Sequence, residues 1–314
     1  MPIENNNVIK ERSKDNRFIR YDELIGRGAF KDVYKGFDTM EGKVIAWNCI
    51  SIVSLNKKDK ENLKNEIKHL HNFNNQCNYI INFYGSWFDN DNNNVIMITE
   101  IALSGTLKNY ITQMKEIKLK AFKKWCKQIM LAIQFLHNKN IVHRDIKADN
   151  IFINGNTGNI LLGDLGLSLT NNDEKDITSV VGTPEFMAPE MYEGKYSNKI
   201  DIYAFGMTML EIITKKIPYY ECKFLPQIWR KISNGEKPLI YQDLTDSDLK
   251  KIICSCINPN PNCRPNIDEL IKNNFFEFNK NDDLTITELI KSENRLIVKD
   301  VINDMINKIE KNQI

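Results

Sequence analysis

The chain has 314 residues, more than a single hydrophobic core usually supports, and its net charge of +2 predicts no general attraction to nucleic acid or anionic membranes. No apolar run is long enough to cross a bilayer, and the polar amino terminus lacks the apolar core of a signal peptide. Seven cysteines without a secretory context predict reduced thiols in a cytoplasmic protein.

The amino-terminal part is predicted to be a disordered arm followed by strands around a glycine turn. Residues 1–16 are polar, which predicts the arm. FIRYDELIGRGAFKDVYKGFDT then predicts strand, turn and strand, and Gly26 and Gly28 let a backbone approach phosphates closely. The usual phosphate loop, GxGxxG, has a third glycine at the place where this chain has Lys31.

Three further strands and a helix are predicted next. The strands lie at residues 43–50, 79–88 and 95–101. Between the first two, residues 57–73 have apolar side chains at helical spacing, and Glu66 lies beside that stripe. The stripe consists of Leu63, Ile67, Leu70 and Phe73.

The carboxy-terminal part is predicted to be mainly helical. A helix begins at SGTLKNYI, with Ser104 or Thr106 as its cap, and a buried helix follows over residues 122–133. NIFINGNTGNILLGDLGL predicts a hairpin, and IDIYAFGMTMLEII predicts another helix headed by Asp201.

Two stretches near the carboxyl end allow more than one interpretation. Cys254, Cys256 and Cys263 suggest a metal site, but the helical spacing of residues 249–257 favours packing of Cys256 on a helix face. Residues 279–314 suit either a hairpin, LTITELI with RLIVKDV, or a helix over VKDVINDMINKIEK.

One group of motifs carries chemistry. HRDIKADN at residues 143–150, DLG at 164–166 and GTPEFMAPE at 182–190 have the spacing that phosphoryl transfer requires. Asp145 is suited to accept the proton of an attacking hydroxyl, and Lys147 to steady the moving phosphoryl group. Asn150 and Asp164 supply the oxygen ligands that Mg²⁺ prefers.

On these motifs the chain resembles the eukaryotic protein kinases over residues 17–278, with the serine/threonine form of the catalytic loop because of Lys147. The resemblance implies a two-lobed α+β fold with a small β-rich lobe at 17–102, a helical lobe at 103–278, a tail at 279–314 and ATP between the lobes. It implies that Glu66, rather than Glu61 on the same helix, forms an ion pair with the ATP lysine. It also implies a nucleotide pocket that includes Val33, Ala46, Thr99, Glu100 and Ala102.

The strand that normally supplies the ATP lysine has Asn48 at that position. Either the cation is lost and the protein is a nucleotide-binding pseudokinase, or Lys31 on the preceding strand replaces it, since adjacent strands lie about 4.8 Å apart. A lysine at the glycine site combined with a missing strand lysine resembles the with-no-lysine (WNK) kinases. GRGAFKDVYKG, IAWN and VGTPEFMAPEMYEGKYSNKIDIYAFGMTMLEI carry this resemblance, although that family usually has cysteine where this chain has Asn48.

The WNK resemblance implies a chloride site at the DLG turn. The backbone amides of Gly166 and Leu167 would hold the ion among apolar side chains, and an inhibitory chloride would make the kinase respond to osmotic state. The matching apolar residues are Phe83, Met97, Leu165 and Leu167. Met97 replaces the usual leucine, and the alternative is that all of these residues only pack the core.

The resemblance also assigns regulatory and structural residues. Ser179 matches the activating phosphorylation position, and Thr183 is expected to contact Asp145 and Lys147 rather than accept phosphate. Glu190 and Arg264 match an ion pair that anchors the activation segment. The implied substrates are proteins, including a downstream kinase, and a transient dimer would allow autophosphorylation in trans. An ordinary serine/threonine kinase without ion sensing remains the third interpretation.

Overall fold

The computed structural model describes residues 8–28, 30–170, 182–194, 197–278 and 284–290. The chain divides into two compact units, one formed by residues 1–110 and 128–182 and the other by 111–127 and 183–314. The strands are β1 Ile9–Arg12, β2 Phe18–Arg27, β3 Lys31–Asp38, β4 Lys43–Ser51, β5 Phe83–Asp89, β6 Asn94–Glu100, β7 Ile141–Val142, β8 Ile151–Asn154, β9 Asn159–Leu162 and β10 Leu169–Thr170. The helices are α1 Lys57–Phe73, α2 Leu107–Gln113, α3 Leu119–Asn138, α4 Lys199–Thr214, α5 Leu225–Ser233, α6 Ser247–Cys256 and α7 Ile267–Ile271.

A six-stranded antiparallel sheet of order β1-β2-β3-β4-β6-β5 forms the amino-terminal part of the first unit. Apolar side chains of its inner strands pack together, and Trp47 packs edge-on against Trp87 with ring centroids 5.0 Å apart. Helix α1 covers residues 57–73, as the sequence period predicted, and the side chain of the preceding Asn56 accepts the amide N–H of Asp59. The predicted α+β class is confirmed.

The predicted disordered arm is wrong for the part that the structure describes. Residues Ile9–Arg12 form β1 and pair with β2. Ion pairs of Lys10 with Asp22 at 3.1 Å and of Arg20 with Glu11 at 3.0 Å add to the backbone pairing. Such a short polar strand depends on its partner strand, so local composition alone does not indicate it.

Two other predictions need adjustment. Strand β5 begins at Phe83 rather than at residue 79, because the backbone before Phe83 forms hydrogen bonds with β9. The Ile81 amide donates to the Leu162 carbonyl, and the Leu162 amide donates to the Tyr79 carbonyl. The first arm of the tail hairpin is instead a 3₁₀ turn, Ile286–Leu289, flanked by bridges from Thr285 to Lys118 and from Ile290 to Leu244. The rest of the tail lies outside the described residues.

The second unit contains helices α4 to α7. Cys256 is fully buried on α6, as the helical spacing predicted, and no group of three potential metal-ligating side chains occurs in the described ranges.

Of the two predicted caps of α2, Thr106 accepts the Asn109 amide, whereas Ser104 accepts that of Gly155. No described helix combines the length and apolar character that crossing a bilayer requires.

The predicted ion pair of Glu190 and Arg264 is confirmed. The Arg264 side chain is fully buried and its Nη2 donates to Glu190 Oε2 at 2.7 Å. We expect Arg264→Met to lower the free energy of unfolding by about 3–5 kcal/mol, because it removes the fully buried half of the pair and leaves the mostly buried Glu190 carboxylate without its partner. Thermal and urea denaturation would measure the change, and Lys251→Met, at the exposed pair with Asp248, serves as a control that should cost at most about 1 kcal/mol. Equal effects of the two substitutions would contradict the structural role of Arg264.

Candidate functional site

A cavity of about 530 Å³ in the first unit brings together most of the predicted nucleotide-site residues. Its size lies within the range of small-molecule sites. The predicted residues that line it are Gly26, Gly28, Lys31, Val33, Ala46, Glu66, Thr99, Glu100, Ala102, Asn150 and Asp164. Of the chloride candidates, Met97 is also part of this lining.

Alternation along two adjacent strands explains which side chains face the cavity. Residues two apart on a strand point to the same face, so Lys31 and Val33 of β3 lie beside Ala46 and Asn48 of β4. The Gly28 amide donates to the Lys31 carbonyl at 2.7 Å, which closes the turn that leads into β3. Lys31 therefore enters the cavity from the strand next to the one with Asn48.

Asn48 is a buried structural residue. Its Nδ2 donates to the Met97 carbonyl at 2.8 Å and to Thr99 Oγ1 at 3.1 Å. The neutral amide therefore ties β4 to β6 at the wall of the cavity and supplies no cation. This role of Asn48 was not predicted from the sequence, because Asn48 and its partners are far apart in the chain.

The catalytic loop holds Asp145 in a fixed position. Asp145 is buried, and its Oδ2 accepts hydrogen bonds from Lys147 Nζ at 2.8 Å and Asn150 Nδ2 at 2.7 Å. The fully buried His143 ring accepts the Asp145 amide at its Nδ1, and its Nε2 lies 3.0 Å from the Gly163 carbonyl. The carboxylate next to the cavity is thus oriented by two side chains and a fixed backbone.

The residues predicted to bind Mg²⁺ have side-chain oxygens that no described residue occupies with a hydrogen bond. Asn150 uses its Nδ2 for Asp145, and within the described ranges its Oδ1 accepts no hydrogen bond. The Asp164 carboxylate likewise accepts none there, and its left-handed backbone, with φ 57°, places it at the cavity. An amide oxygen and a carboxylate facing one cavity fit a magnesium ion that binds ATP phosphates.

Gly163, the residue before Asp164, allows the backbone to pack closely against the Phe152 ring. A Cβ atom at this position would lie 2.7 Å from the Phe152 ring. Phe152 itself lines the cavity, a role that the sequence analysis missed. Strand alternation could have indicated it, since Ile151 and Ile153 on either side are both buried.

Glu66 and Lys31 line the same cavity without a direct ion pair between them. Burial raises the pKa of the Glu66 carboxyl to about 7, while Lys31 opposes the shift and Asp164 adds to it. Lys31 is therefore close enough to act on Glu66 electrostatically.

This raised pKa predicts a pH-dependent stability. The free energy of unfolding should fall as the pH rises from 4.5, the ordinary pKa, towards 7, because in this range the folded state still holds a proton that the unfolded state has already released. We expect Glu66→Gln to raise the melting temperature more at pH 8 than at pH 5. Glu61→Gln, at an exposed site on the same helix, should show no such difference. An equal shift for Glu66→Gln at both pH values would contradict the assignment.

The DLG turn packs against helix α1. Leu165 and Gly166 are buried, and a Cβ atom at Gly166 would lie 3.6 Å from the Asn62 carbonyl oxygen. The Leu167 carbonyl accepts a hydrogen bond from Arg144 Nε. Phe83 is buried in β5. These residues remain candidates for a chloride site.

Thr183 and Asp201 are absent from the lining of this cavity. Ser179 lies outside the described residues. Thr183 precedes the 3₁₀ turn Pro184–Phe186 in the second unit, and its predicted role in positioning substrate stays a prediction. Asp201 is fully buried in α4.

Comparisons with known proteins agree with these observations. The family model "Protein kinase domain" matches residues 19–276. The chain is 43% identical over 268 residues to the serine/threonine-protein kinase WNK3 of Mus musculus, covering 84% of this chain and 15% of the relative. It is 42% identical over 265 residues to Wnk of Drosophila melanogaster, covering 83% and 11%, and 42% identical over 269 residues to WNK8 of Arabidopsis thaliana, covering 84% and 47%.

The chain thus spans less than half the length of these curated relatives. The predicted kinase fold and the resemblance to the WNK kinases are confirmed. On this match and on the geometry of the site, the chain belongs to the protein kinase family.

Proposed function

We propose that the protein is a serine/threonine kinase that transfers the γ-phosphoryl group of ATP to a hydroxyl of a protein substrate. The most direct support is the position of the Asp145 carboxylate. It accepts hydrogen bonds from Lys147 and Asn150 beside the cavity that Lys31 enters. Asp145 accepts the proton of the attacking hydroxyl, and Lys147 stabilises the transferring group. Lys31 anchors the phosphates, and Asn150 and Asp164 hold Mg²⁺, which neutralises phosphate charge when bound.

A phosphorylation assay tests this function. Purified protein is incubated with Mg²⁺, labelled ATP and a generic protein substrate, and the modified residues are mapped by mass spectrometry. We expect phosphate on serine and threonine but not on tyrosine, and on Ser179 of the protein itself. Nucleotide binding without any phosphate transfer would instead support the pseudokinase interpretation.

The second part of the proposal is that chloride inhibits this kinase. It rests on the WNK relatives and on the buried Leu165–Gly166 turn that packs against α1, the helix with Glu66. We expect the autophosphorylation rate to fall as chloride replaces gluconate at constant ionic strength, and Met97→Leu to change the chloride concentration at which it does. An autophosphorylation rate that did not change with chloride would instead support an ordinary serine/threonine kinase without ion sensing.

The cellular setting is proposed on the same basis. All seven cysteines are free thiols, which suits the reducing cytoplasm. By analogy with the WNK relatives, we place the protein in an osmotic signalling cascade in which it phosphorylates a downstream kinase and autophosphorylates through a transient dimer.

A further inference from the structure

A second cavity in the first unit lies apart from the nucleotide site. It is an open groove of about 700 Å³ between helix α1 and strand β5, and no residue lines both cavities. Helix α1 contributes Lys64, Ile67, Lys68 and His71 to this groove. Its volume is large enough for several side chains of a bound peptide.

The groove is positively charged. Its lining contains two lysines and a histidine but no carboxylate. Lys64, Lys68 and His71 follow one another at intervals of one helical turn, so they form a row about 10 Å long. Both lysines are exposed, and neither forms an ion pair with a described residue. Lys43 adds a further cation at the edge, with its Nζ 3.9 Å from the centre of the Tyr84 ring.

The floor between these cations is apolar. Ile67 contributes from the helix, and Phe83 and Tyr84 contribute from β5. The His71 ring packs edge-on against Phe83 with ring centroids 6.2 Å apart. An apolar floor beside two exposed lysines complements a segment that presents one large apolar side chain flanked by carboxylates.

We propose that this groove, formed by α1 and β5, is a docking site for an acidic peptide segment of a partner protein, with an aromatic or aliphatic anchor between its acidic residues. Charge complementarity to Lys64 and Lys68 selects the acidic residues, and the partly exposed side chains of Ile67 and Tyr84 take the anchor. The opposite side of α1 carries Glu66 and Leu70 into the nucleotide cavity. A bound segment would therefore contact the helix that positions Glu66.

Fluorescence anisotropy with a labelled peptide, GDEDFEEIDG, tests this proposal on the full chain. We expect saturable binding that weakens with added salt. Lys64→Ala/Lys68→Ala should weaken it by about tenfold, which corresponds to the loss of two exposed charge contacts. Lys57→Ala/Lys60→Ala removes the same charge from exposed positions of the same helix outside the groove, and it should bind normally.

Several results would overturn the proposal. These are an absence of binding, equal weakening by the two double variants, equal binding of the neutral peptide GNQNFQQING, or binding of phosphatidylserine vesicles in place of the peptide. Asp145→Asn should bind the peptide like the unmodified protein, because Asp145 is not part of the groove. A failure of the docking proposal is therefore distinguishable from a failure of the proposed catalytic function.

Discussion

Replacing Lys31 by methionine is expected to lower the phosphoryl-transfer rate by about 10²–10³-fold, the usual effect of removing one preorganised charge-stabilising group. The reason is that Lys31 enters the nucleotide cavity from β3, whereas the neutral Asn48 on β4 is already engaged with Met97 and Thr99. Methionine keeps the length and apolar stem of lysine but removes its charge. Steady-state kinetics with Mg-ATP would measure the loss.

A matched control is available on the same strand. Lys35 pairs with Glu23 at 2.9 Å and is absent from the cavity lining. Lys35→Met should therefore leave the transfer rate nearly unchanged. If Lys31→Met transferred phosphate at the normal rate, the anchoring cation would have to be a different residue.

Replacing Asp145 by asparagine is expected to reduce the transfer rate by about 10²–10⁴-fold, the range typical of a lost general base. Asparagine has nearly the same shape, but its amide does not accept the substrate proton. The same change removes the charge partner of Lys147, so the positions of Lys147 and Asn150 also become less fixed.

The measurement combines single-turnover kinetics with nucleotide binding. Asp149→Asn, at the partly exposed pair with Lys108, provides a neighbouring control with the same change of charge. We expect Asp145→Asn to bind nucleotide normally but to transfer phosphate at the reduced rate, and the control to retain activity. Normal transfer by Asp145→Asn would exclude its role as the base.

Local patterns in the sequence were sufficient for much of the first unit. The helix over 57–73 has an apolar stripe at helical spacing, and this signal lies within the segment itself. The residues of the nucleotide cavity were expected from the resemblance to the protein kinases, and strand alternation accounts for the shared face of Lys31 and Val33.

Features that depend on distant parts of the chain were not predictable. Strand β1 exists because β2 pairs with it, and its polar sequence gives no sign of this. The bonds from Asn48 to β6 join residues that only the sheet register brings together. The groove between α1 and β5 was missed for the same reason, since Lys64 and Lys68 appear in the sequence as ordinary exposed helix lysines.

The central claim is that Lys31 replaces the missing strand lysine as the phosphate anchor. A crystal structure with Mg²⁺ and a non-hydrolysable ATP analogue tests it most directly. We predict that Lys31 Nζ lies within hydrogen-bonding distance of a phosphate oxygen, with Asn48 still bonded to Thr99. A Lys31 side chain directed into solvent, with no cationic side chain at the phosphates, would contradict the account.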